Sequence, residues 1–319
     1  MTGPEGDPMD TGVPKAKIAV IIPTYSPDER FRALIRRLYA QSLPPERIFV
    51  VNTDPDLFRD DLVDRWDKVS VLHIAKEDFD HAATRNMAAR MVREEILVFM
   101  TQDAVPADRY LLENLLKGFE TAADEGKEAA VVYARQLPRK EASEAERYGR
   151  NFSYPAKSRT KTIDDLNELG IMTFTCSDVC AAYRRSLFME LGGFSEPAIF
   201  NEDMVFAAGA IRAGYAVRYE AQARVIHSHS LTPMQQYRRN YALGMSQAQH
   251  PEVFDLVSSE GSGMKLVKGT LRHLIRKKKI AEIPAFLTGT AFRYAGYKLG
   301  KNYGKRKRNE VDHGRRSGS

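Results

Sequence analysis

Residues 18–25 read IAVIIPTY and are the most informative part of the sequence about the fold. Its first five residues form an unbroken apolar run, which predicts a strand buried on both faces, as in a parallel sheet covered by helices. Pro23, Thr24 and Tyr25 end the run. Apolar residues then recur at helical spacing between Asp28 and Ala40, so the chain opens with a strand followed by a helix.

The alternation of strand and helix continues through the first half of the chain. Further strands are predicted at residues 48–51, 69–74, 96–100 and 129–133, and helices from the turn at 52–55 to about residue 66, at 82–93 and at 110–122. Strands that alternate with helices of this length form βαβ units. The sequence therefore predicts an α/β fold with a mostly parallel central sheet and flanking helices.

Beyond Arg135 the pattern is looser. We expect one helix and a mobile loop in residues 138–170, an extended segment at 173–183, a helix at 201–213, two short strands at 216–219 and 224–227, and helical structure from about residue 233. Three segments result from this interpretation: a disordered leader at 1–16, an α/β domain at 17–250, and a helical, basic C-terminal extension at 251–319.

Several classes of protein are excluded by what the sequence lacks. No run approaches the roughly 20 apolar residues of a membrane span, and the first residues lack the layout of a signal peptide. Neither a G-x-G-x-x-G nor a G-K-[ST] motif occurs, which argues against a Rossmann dehydrogenase and a P-loop enzyme. The only cysteines, Cys176 and Cys180, exclude a disulfide framework, and we interpret them as reduced core side chains of a cytoplasmic protein.

Polar residues collect just after the predicted strands. In open α/β sheets, ligands bind beyond the carboxyl ends of the strands. The residues at those positions are Thr24, Asn52 to Asp54, Asp80 with His81, and Thr101 to Asp103. Such a set of polar and acidic side chains is what a site for phosphate and metal would need.

Five local motifs, in their order and spacing, resemble those of a known family. They are residues 23–25 (PTY), 79–86 (FDHAATRN), 99–104 (FMTQDA), 200–204 (FNEDM) and 226–229 (IHSH). Together they resemble family-2 glycosyltransferases of the GT-A fold, and more closely the bacterial rhamnosyltransferase-like branch. The resemblance covers roughly residues 17–250. It implies inverting transfer of a sugar from a nucleoside diphosphate to a carbohydrate hydroxyl.

The resemblance also implies a divalent metal. Asp103 matches the last residue of the family's D-x-D motif, the principal ligand, whereas the first position is Thr101 here. His227 matches the family's downstream metal-binding histidine, and His229 lies two residues further along. Imidazole suits Mn²⁺ better than Mg²⁺, so we expect either ion and favour Mn²⁺. Asp103 could instead be a helix-capping acid, and each histidine a core or surface residue.

The same resemblance assigns the base. Asp203 matches the aspartate of the family's E-D motif, and Glu202 is the second candidate. A structural interpretation is compatible with this role, because Asn201 is a good N-cap and acids in a first helical turn offset the helix dipole.

Donor contacts are implied for the matching segments near the strand ends. Pro23, Thr24 and Tyr25 would line the base of the nucleotide, and Asp80 and Gln102 belong to segments on the donor side. The family's base-binding aspartate has no single counterpart, since Asn52 and Asp54 are both candidates, which leaves a dTDP-sugar and a UDP-sugar open. Arg85 could pair with phosphate. Acceptor contacts are expected from residues 173–178 and 138–170.

The C-terminal extension is strongly basic. Residues 265–319 hold 16 Lys or Arg and 3 Asp or Glu, a net charge of +13, and since the whole chain carries +6, residues 1–264 carry −7. Basic clusters that flank the apolar stretch 283–297 are typical of peripheral docking on an anionic membrane rather than of nucleic-acid binding. A solvated basic tail is the alternative.

The resulting hypothesis is a transferase of L-rhamnose from dTDP-rhamnose to a glycan or lipid-linked saccharide, at the inner face of the bacterial membrane. Two alternatives stay open at this point. One is a nucleotidyltransferase, although residues 23–27 lack its usual glycine-rich, basic loop. The other is a non-catalytic adaptor that uses the basic tail to bind a membrane or nucleic acid.

Overall fold

A computed structural model describes residues 16–228, 231–255 and 260–317. Its strands are β1 (Ile18–Tyr25), β2 (Arg47–Thr53), β3 (Val69–Ile74), β4 (Ile96–Met100), β5 (Val105–Pro106), β6 (Ala129–Leu137), β7 (Arg159–Lys161), β8 (Cys180–Arg184) and β9 (Ala216–Ile226). Its α-helices are α1 (Glu29–Tyr39), α2 (His81–Met91), α3 (Leu111–Asp124), α4 (Glu144–Ser153), α5 (Leu166–Leu169), α6 (Arg185–Glu190), α7 (Glu202–Arg212), α8 (Pro233–Gln249), α9 (Pro251–Phe254), α10 (Glu260–Arg276) and α11 (Ile283–Ser317).

The described strands form one sheet in the order β3-β2-β1-β4-β8-β6-β9-β5, with β7 also paired to β9. The block β3-β2-β1-β4 is parallel throughout, and β6 is parallel to β9. Strand β8 lies antiparallel between β4 and β6. The predicted α/β fold, with its parallel strands and flanking helices, is confirmed.

Strand β1 lies inside the parallel block and is buried on both faces. Ala19 and Ile21 enter one apolar cluster, whereas Ile18, Val20 and Ile22 enter the other, because successive side chains of a strand point to opposite faces. Helices α2 and α7 contribute to the first cluster, and α1 and α3 to the second. The unbroken apolar run is therefore the signature of a strand between two helical layers.

The prediction of a helix from the turn at 52–55 to about residue 66 is wrong. Two 3-10 turns, Pro55–Leu57 and Asp60–Leu62, take its place. Within these two turns, Leu62 is the single buried side chain. A longer helix would need a continuous apolar face to hold it against the sheet, and this stretch does not supply one.

Two predictions for the second half of the chain are also corrected. Residues 173–183 are not extended throughout, because a 3-10 helix (Gly170–Phe174) precedes β8. The two short strands predicted at 216–219 and 224–227 are one strand, β9, whose register with β6 shifts between Ala134 and Arg135. Polar Glu220 and Gln222 lie at this irregularity and interrupt the apolar pattern. Both cysteines are buried and free, as predicted.

The C-terminal region is helical, as predicted, and α11 packs along α8. A Cβ added to Gly300 would lie 2.0 Å from the Tyr241 carbonyl oxygen, and one added to Gly296 would lie 2.3 Å from that of Tyr237. These pairs advance together along both helices, so α8 and α11 run parallel with their backbones in contact. None of the helices in the described ranges is both long enough and apolar enough to cross a membrane.

The glycine contact leads to a test of the C-terminal packing. Gly300→Ala should lower the free energy of unfolding by on the order of 1–3 kcal/mol, because the added Cβ forces the helices apart. Gly209→Ala in α7 is the matched control, since its added Cβ meets nothing within 4 Å. That change should be neutral or stabilise by up to about 1 kcal/mol. Urea unfolding measures both, and equal effects would contradict the close contact.

Candidate active site

The carboxyl ends of β1, β2 and β4 meet at one edge of the sheet. Tyr25 and Gln102 join two of these ends by exchanging hydrogen bonds. The Tyr25 N–H donates to Gln102 Oε1 at 2.9 Å, and Gln102 Nε2 donates to the Tyr25 carbonyl oxygen at 3.1 Å. The structure therefore brings Gln102 next to Pro23, Thr24 and Tyr25, and the Tyr25 side chain is 46% exposed.

Asn52 and Asp54, the two alternatives for base recognition, occupy different environments. Asn52 is completely buried, and its Oδ1 accepts a hydrogen bond from the Thr24 hydroxyl at 3.0 Å. Its Nδ2 donates to the Asp54 carbonyl oxygen and lies 3.1 Å from His73 Nδ1. The Asn52 amide is thus used within the protein. Asp54 is half-buried at the strand end, which makes its carboxylate the more accessible of the two.

Asp103 and His227, the predicted metal ligands, converge from distant parts of the chain. His227 Nε2 lies 3.6 Å from Asp103 Oδ1. The other ring nitrogen, Nδ1, lies 3.0 Å from Oε1 of the buried Gln136. An amide oxygen only accepts hydrogen bonds, so Nδ1 is the donor in this contact, and Nε2 is the ring nitrogen that faces Asp103.

This arrangement fits a divalent cation. An imidazole nitrogen and a carboxylate oxygen are both suitable ligands for Mn²⁺ or Mg²⁺, and here they lie 3.6 Å apart. The Thr101 hydroxyl, two residues before Asp103, is buried without a hydrogen-bond partner in the described part of the chain. Among the described residues, no group of three or more His, Cys, Asp or Glu is placed to hold a metal ion. His229 lies outside the described residues.

Gln136 is a site residue that the sequence analysis missed. Its Oε1 also accepts a hydrogen bond from Arg150, and its Nε2 donates to the Tyr154 hydroxyl at 2.6 Å and to Ser177 Oγ at 2.9 Å. It therefore fixes the His227 ring and ties α4 to the segment before β8. The sequence shows only a glutamine near the end of an apolar run, and its burial, which is unusual for glutamine, became visible in the structure.

Asp80 holds the N-terminus of α2. Its Oδ1 accepts hydrogen bonds from the N–H groups of Ala82 and Ala83, and its Oδ2 accepts one from the Ala198 N–H at 2.9 Å. Asp80 is therefore a helix cap that also fastens the loop before α7. The next residue, His81, stacks against Phe200, and its burial lowers the pKa of its ring.

Asp203, the predicted base, follows Glu202 in the first turn of α7. Its Oδ1 accepts a hydrogen bond from the Met204 N–H at 2.7 Å, and its Oδ2 accepts one from the Asp178 N–H at 3.1 Å. Burial, with the nearby carboxylates of Glu202 and Asp178, raises the pKa of Asp203 well above its usual range. The result is an oriented carboxylate of increased basicity, which is suited to accept a proton.

Arg85 lies next to Glu202 and Asp178, two of the acids near Asp203. It is buried, with Nη1 3.3 Å from Glu202 Oε1 and Nε 3.6 Å from Asp178 Oδ2. Its guanidinium pairs with protein carboxylates, and the predicted contact with phosphate would require it to exchange these partners.

The prediction that the Asn201 side chain caps α7 is wrong. This residue has a left-handed backbone with φ 66°, and its side chain makes no capping hydrogen bond to α7. Its Nδ2 instead donates to Ser246 Oγ at 3.0 Å. Asn201 therefore connects the start of α7 to α8.

Comparison with known proteins identifies the family of this chain. The family model described as Glycosyl transferase family 2 matches residues 19–192. The chain belongs to this family. The predicted family and class of enzyme are confirmed, and the nucleotidyltransferase and adaptor alternatives are set aside for this family-2 glycosyltransferase.

Two relatives match nearly the whole chain. The O-antigen chain rhamnosyltransferase RfbN of Salmonella typhimurium is 36% identical over 289 residues, which cover 90% of each chain. The O-antigen chain rhamnosyltransferase WbaN of Salmonella anatum is 33% identical over 287 residues, or 89% of each chain.

Solved structures share the fold of this glycosyltransferase. The mannosyltransferase PcManGT from Pyrobaculum calidifontis, in complex with GDP-Man and Mn²⁺, has a TM-score of 0.55 at 19% identity and covers 93% of this chain and 86% of its own. Residues 1–349 of S. aureus TarS give a TM-score of 0.50 at 14% identity, with 92% of each chain covered.

Proposed function

We propose that this enzyme transfers rhamnose from a nucleoside-diphosphate donor to a hydroxyl of a glycan or lipid-linked saccharide, with inversion at the anomeric carbon. The likeness to two rhamnosyltransferases over about nine-tenths of the chain supports the sugar and a role in polysaccharide synthesis. The observation that supports the chemistry is the Asp203 carboxylate at the start of α7, which accepts hydrogen bonds from the backbone N–H groups of Asp178 and Met204.

The donor nucleotide lies against the edge formed by residues 23–25, Asp54 and Gln102. Tyr25 offers an exposed ring beside Gln102, and aromatic rings stack on bases without regard to their identity. Asp54 supplies an accessible carboxylate at the end of β2, where it can accept hydrogen bonds from a pyrimidine base. We favour dTDP over UDP as the nucleotide and Asp54 over Asn52 as the base ligand. Asp80 acts on the donor side by holding the start of α2.

Asp103 and His227 would hold a divalent cation, and His229 is a further candidate. The mixed oxygen and nitrogen ligands favour Mn²⁺ over Mg²⁺. Mn²⁺ is also the ion in the structure of the Pyrobaculum calidifontis mannosyltransferase. When bound, the cation stabilises the negative charge of the departing nucleoside diphosphate. The protein's own part is to keep His227 Nε2 directed at Asp103 through Gln136.

Asp203 removes the proton of the acceptor hydroxyl as that oxygen bonds to the anomeric carbon. The bond from this carbon to the diphosphate oxygen breaks on the opposite face, and the nucleoside diphosphate leaves with the electron pair. Inversion follows from this single displacement. Glu202 is the second candidate, but its Oε1 lies beside buried Arg85, which makes it a charge partner rather than a proton acceptor.

The metal assignment has a direct test. Asp103→Ala should abolish Mn²⁺-dependent binding of dTDP or UDP, because it removes the only carboxylate proposed to ligate the ion. His227→Ala should weaken that dependence less. Calorimetric titration of nucleotide with and without Mn²⁺ measures both, and Asp108→Ala, a change to a surface acid paired with Arg224, is the control. Normal Mn²⁺-dependent affinity in Asp103→Ala would refute the assignment.

The base assignment is tested by a pair of isosteric substitutions. Asp203→Asn should retain donor binding and lose transfer by a factor of roughly 10²–10⁴ or more, and Glu202→Gln should lose less. Because only the carboxylate form of Asp203 accepts a proton, wild-type transfer should fall as the pH drops through its raised pKa. The anomeric configuration of the product, read by NMR, should be opposite to that of the donor. A greater loss in Glu202→Gln would transfer the role to Glu202.

Peripheral docking on an anionic membrane completes the proposal. The turn between α10 and α11 exposes Ile275 and Ile280 by 59% and 62%, on either side of the basic run 276–279. Apolar side chains between basic residues suit insertion into an anionic interface, with on the order of 1 kcal/mol for each basic residue near the surface. We propose that this turn, residues 275–280, docks the enzyme on the cytoplasmic face, where lipid-linked acceptors would lie.

The docking turn can be tested without removing a helix. Replacement of Lys277, Lys278 and Lys279 by Gln should release the protein from anionic liposomes at a salt concentration that still retains the wild type. Replacement of Lys127, Lys140 and Lys157 by Gln removes the same charge elsewhere and should have little effect. Co-sedimentation measures binding, and dTDP affinity should not change. If the two triple variants are released equally, the turn is not a specific docking site, and the overall positive charge of the protein accounts for binding.

A further inference from the structure

Asp178 is a buried carboxylate for which the proposed reaction has no direct use. Only 3% of the residue is exposed. Its Oδ1 accepts a hydrogen bond from the Tyr183 hydroxyl at 2.6 Å, and its Oδ2 lies 3.6 Å from Arg85 Nε. In the described structure neither that oxygen nor that nitrogen has a hydrogen-bond partner. Its backbone N–H donates to the base Asp203.

Two carboxylates lie beside one guanidinium at this point, and a third carboxylate is linked to them by a hydrogen bond. Asp178 and Glu202 each lie within 4 Å of Arg85, and Asp203 joins them through the Asp178 backbone. Burial of such charges costs several kcal/mol for each ion, and apolar side chains of similar volume often stabilise a fold better. Stability therefore does not account for Asp178, whereas its contact with the base suggests a chemical use.

We propose that Asp178 is a positioning residue for the base: its backbone N–H orients the Asp203 carboxylate, and its buried side-chain charge, balanced by Arg85, adjusts how strongly that carboxylate holds a proton. This inference deepens the proposed function and rests on Asp203 as the base. Asp178 itself touches neither donor nor acceptor in this role.

Asp178, Glu202 and Arg85 are the groups that place a charge near Asp203, because the other ionisable side chains that face it are neutral. Cys176, Tyr133, Tyr154 and Tyr183 also face the base, and burial raises the pKa of each. They stay neutral at physiological pH. Lys161 lies behind them, next to Cys176, and donates to the Met172 and Thr175 carbonyl oxygens and to the Tyr133 hydroxyl.

The charges on Asp178 and Arg85 act on the base in opposite directions. A nearby negative charge disfavours ionisation of a carboxyl, and a nearby positive charge favours it. The same environment raises the pKa of Asp178 to about 7, chiefly through burial, against the opposing effect of Arg85. Loss of the Asp178 charge should therefore weaken Asp203 as a base, and loss of the Arg85 charge should strengthen its hold on a proton.

The test is the pH dependence of kcat/KM for sugar transfer, which reports ionisation of the free enzyme. Asp178→Asn keeps the backbone N–H and the side-chain shape, and it should move the acid limb to lower pH by on the order of one unit. The plateau should fall severalfold, because a weaker base removes the proton less readily. Arg85→Gln should move the acid limb to higher pH, and Arg85→Lys should leave it near that of the wild type.

The control is Asp165→Asn, which removes a carboxylate of the same region that pairs with Arg159 instead. Its acid limb should not move. If Arg85→Gln does not fold, the inference is tested by Asp178→Asn alone, through the direction in which the acid limb of its pH profile moves. An unchanged acid limb in a folded Asp178→Asn variant overturns the inference while Asp203→Asn remains inactive. If Asp203→Asn is active, the proposed base itself is wrong.

Discussion

Burial of β1 on both faces organises the two helical layers and the edge of the sheet where the candidate site lies. Its side chains alternate between two apolar clusters, and each cluster needs a helical layer to exclude water. The neighbours β2 and β4 run parallel to β1, so their carboxyl ends meet at the same edge. Tyr25, Asp54 and Asp103 follow or end these strands, and the position of the proposed donor site is a consequence of how the core is buried.

Antiparallel β8 adds the second half of the site. Because it enters between β4 and β6 and begins at Cys180, the residues just before it lie against both halves of the candidate site. Ser177 contacts Gln136, which holds His227, and the Asp178 N–H holds Asp203. Two successive residues therefore connect the proposed metal ligands to the proposed base, and a movement of this short segment would disturb both.

The C-terminal helices support the site from outside the sheet. The start of α7 is held by α8, since Asn201 donates to Ser246, and Ser246 donates to the Phe200 carbonyl oxygen. Helix α8 is held in turn by α11, whose glycines bring the two backbones into contact. The basic extension is thus part of the packing that positions Asp203, in addition to any attraction that its charge exerts on a membrane.

The sequence by itself determined the α/β class, the parallel strands and the family, because apolar periodicity and local motifs are properties of short segments. It also pointed to Asp103, His227 and Asp203 as candidates for the site, because their motifs are local. The reversal of β8, the single strand β9 and the roles of Gln136 and Asp178 depended on partners far along the chain. The internal partners of Asn52 and Arg85 were likewise not visible in the sequence. Asn52 accepts a hydrogen bond from Thr24, and Arg85 pairs with Asp178 and Glu202. Only tertiary packing decided which polar side chains pair with one another in the interior and which face the site, because the cost of burying a polar group depends on partners that local sequence does not specify.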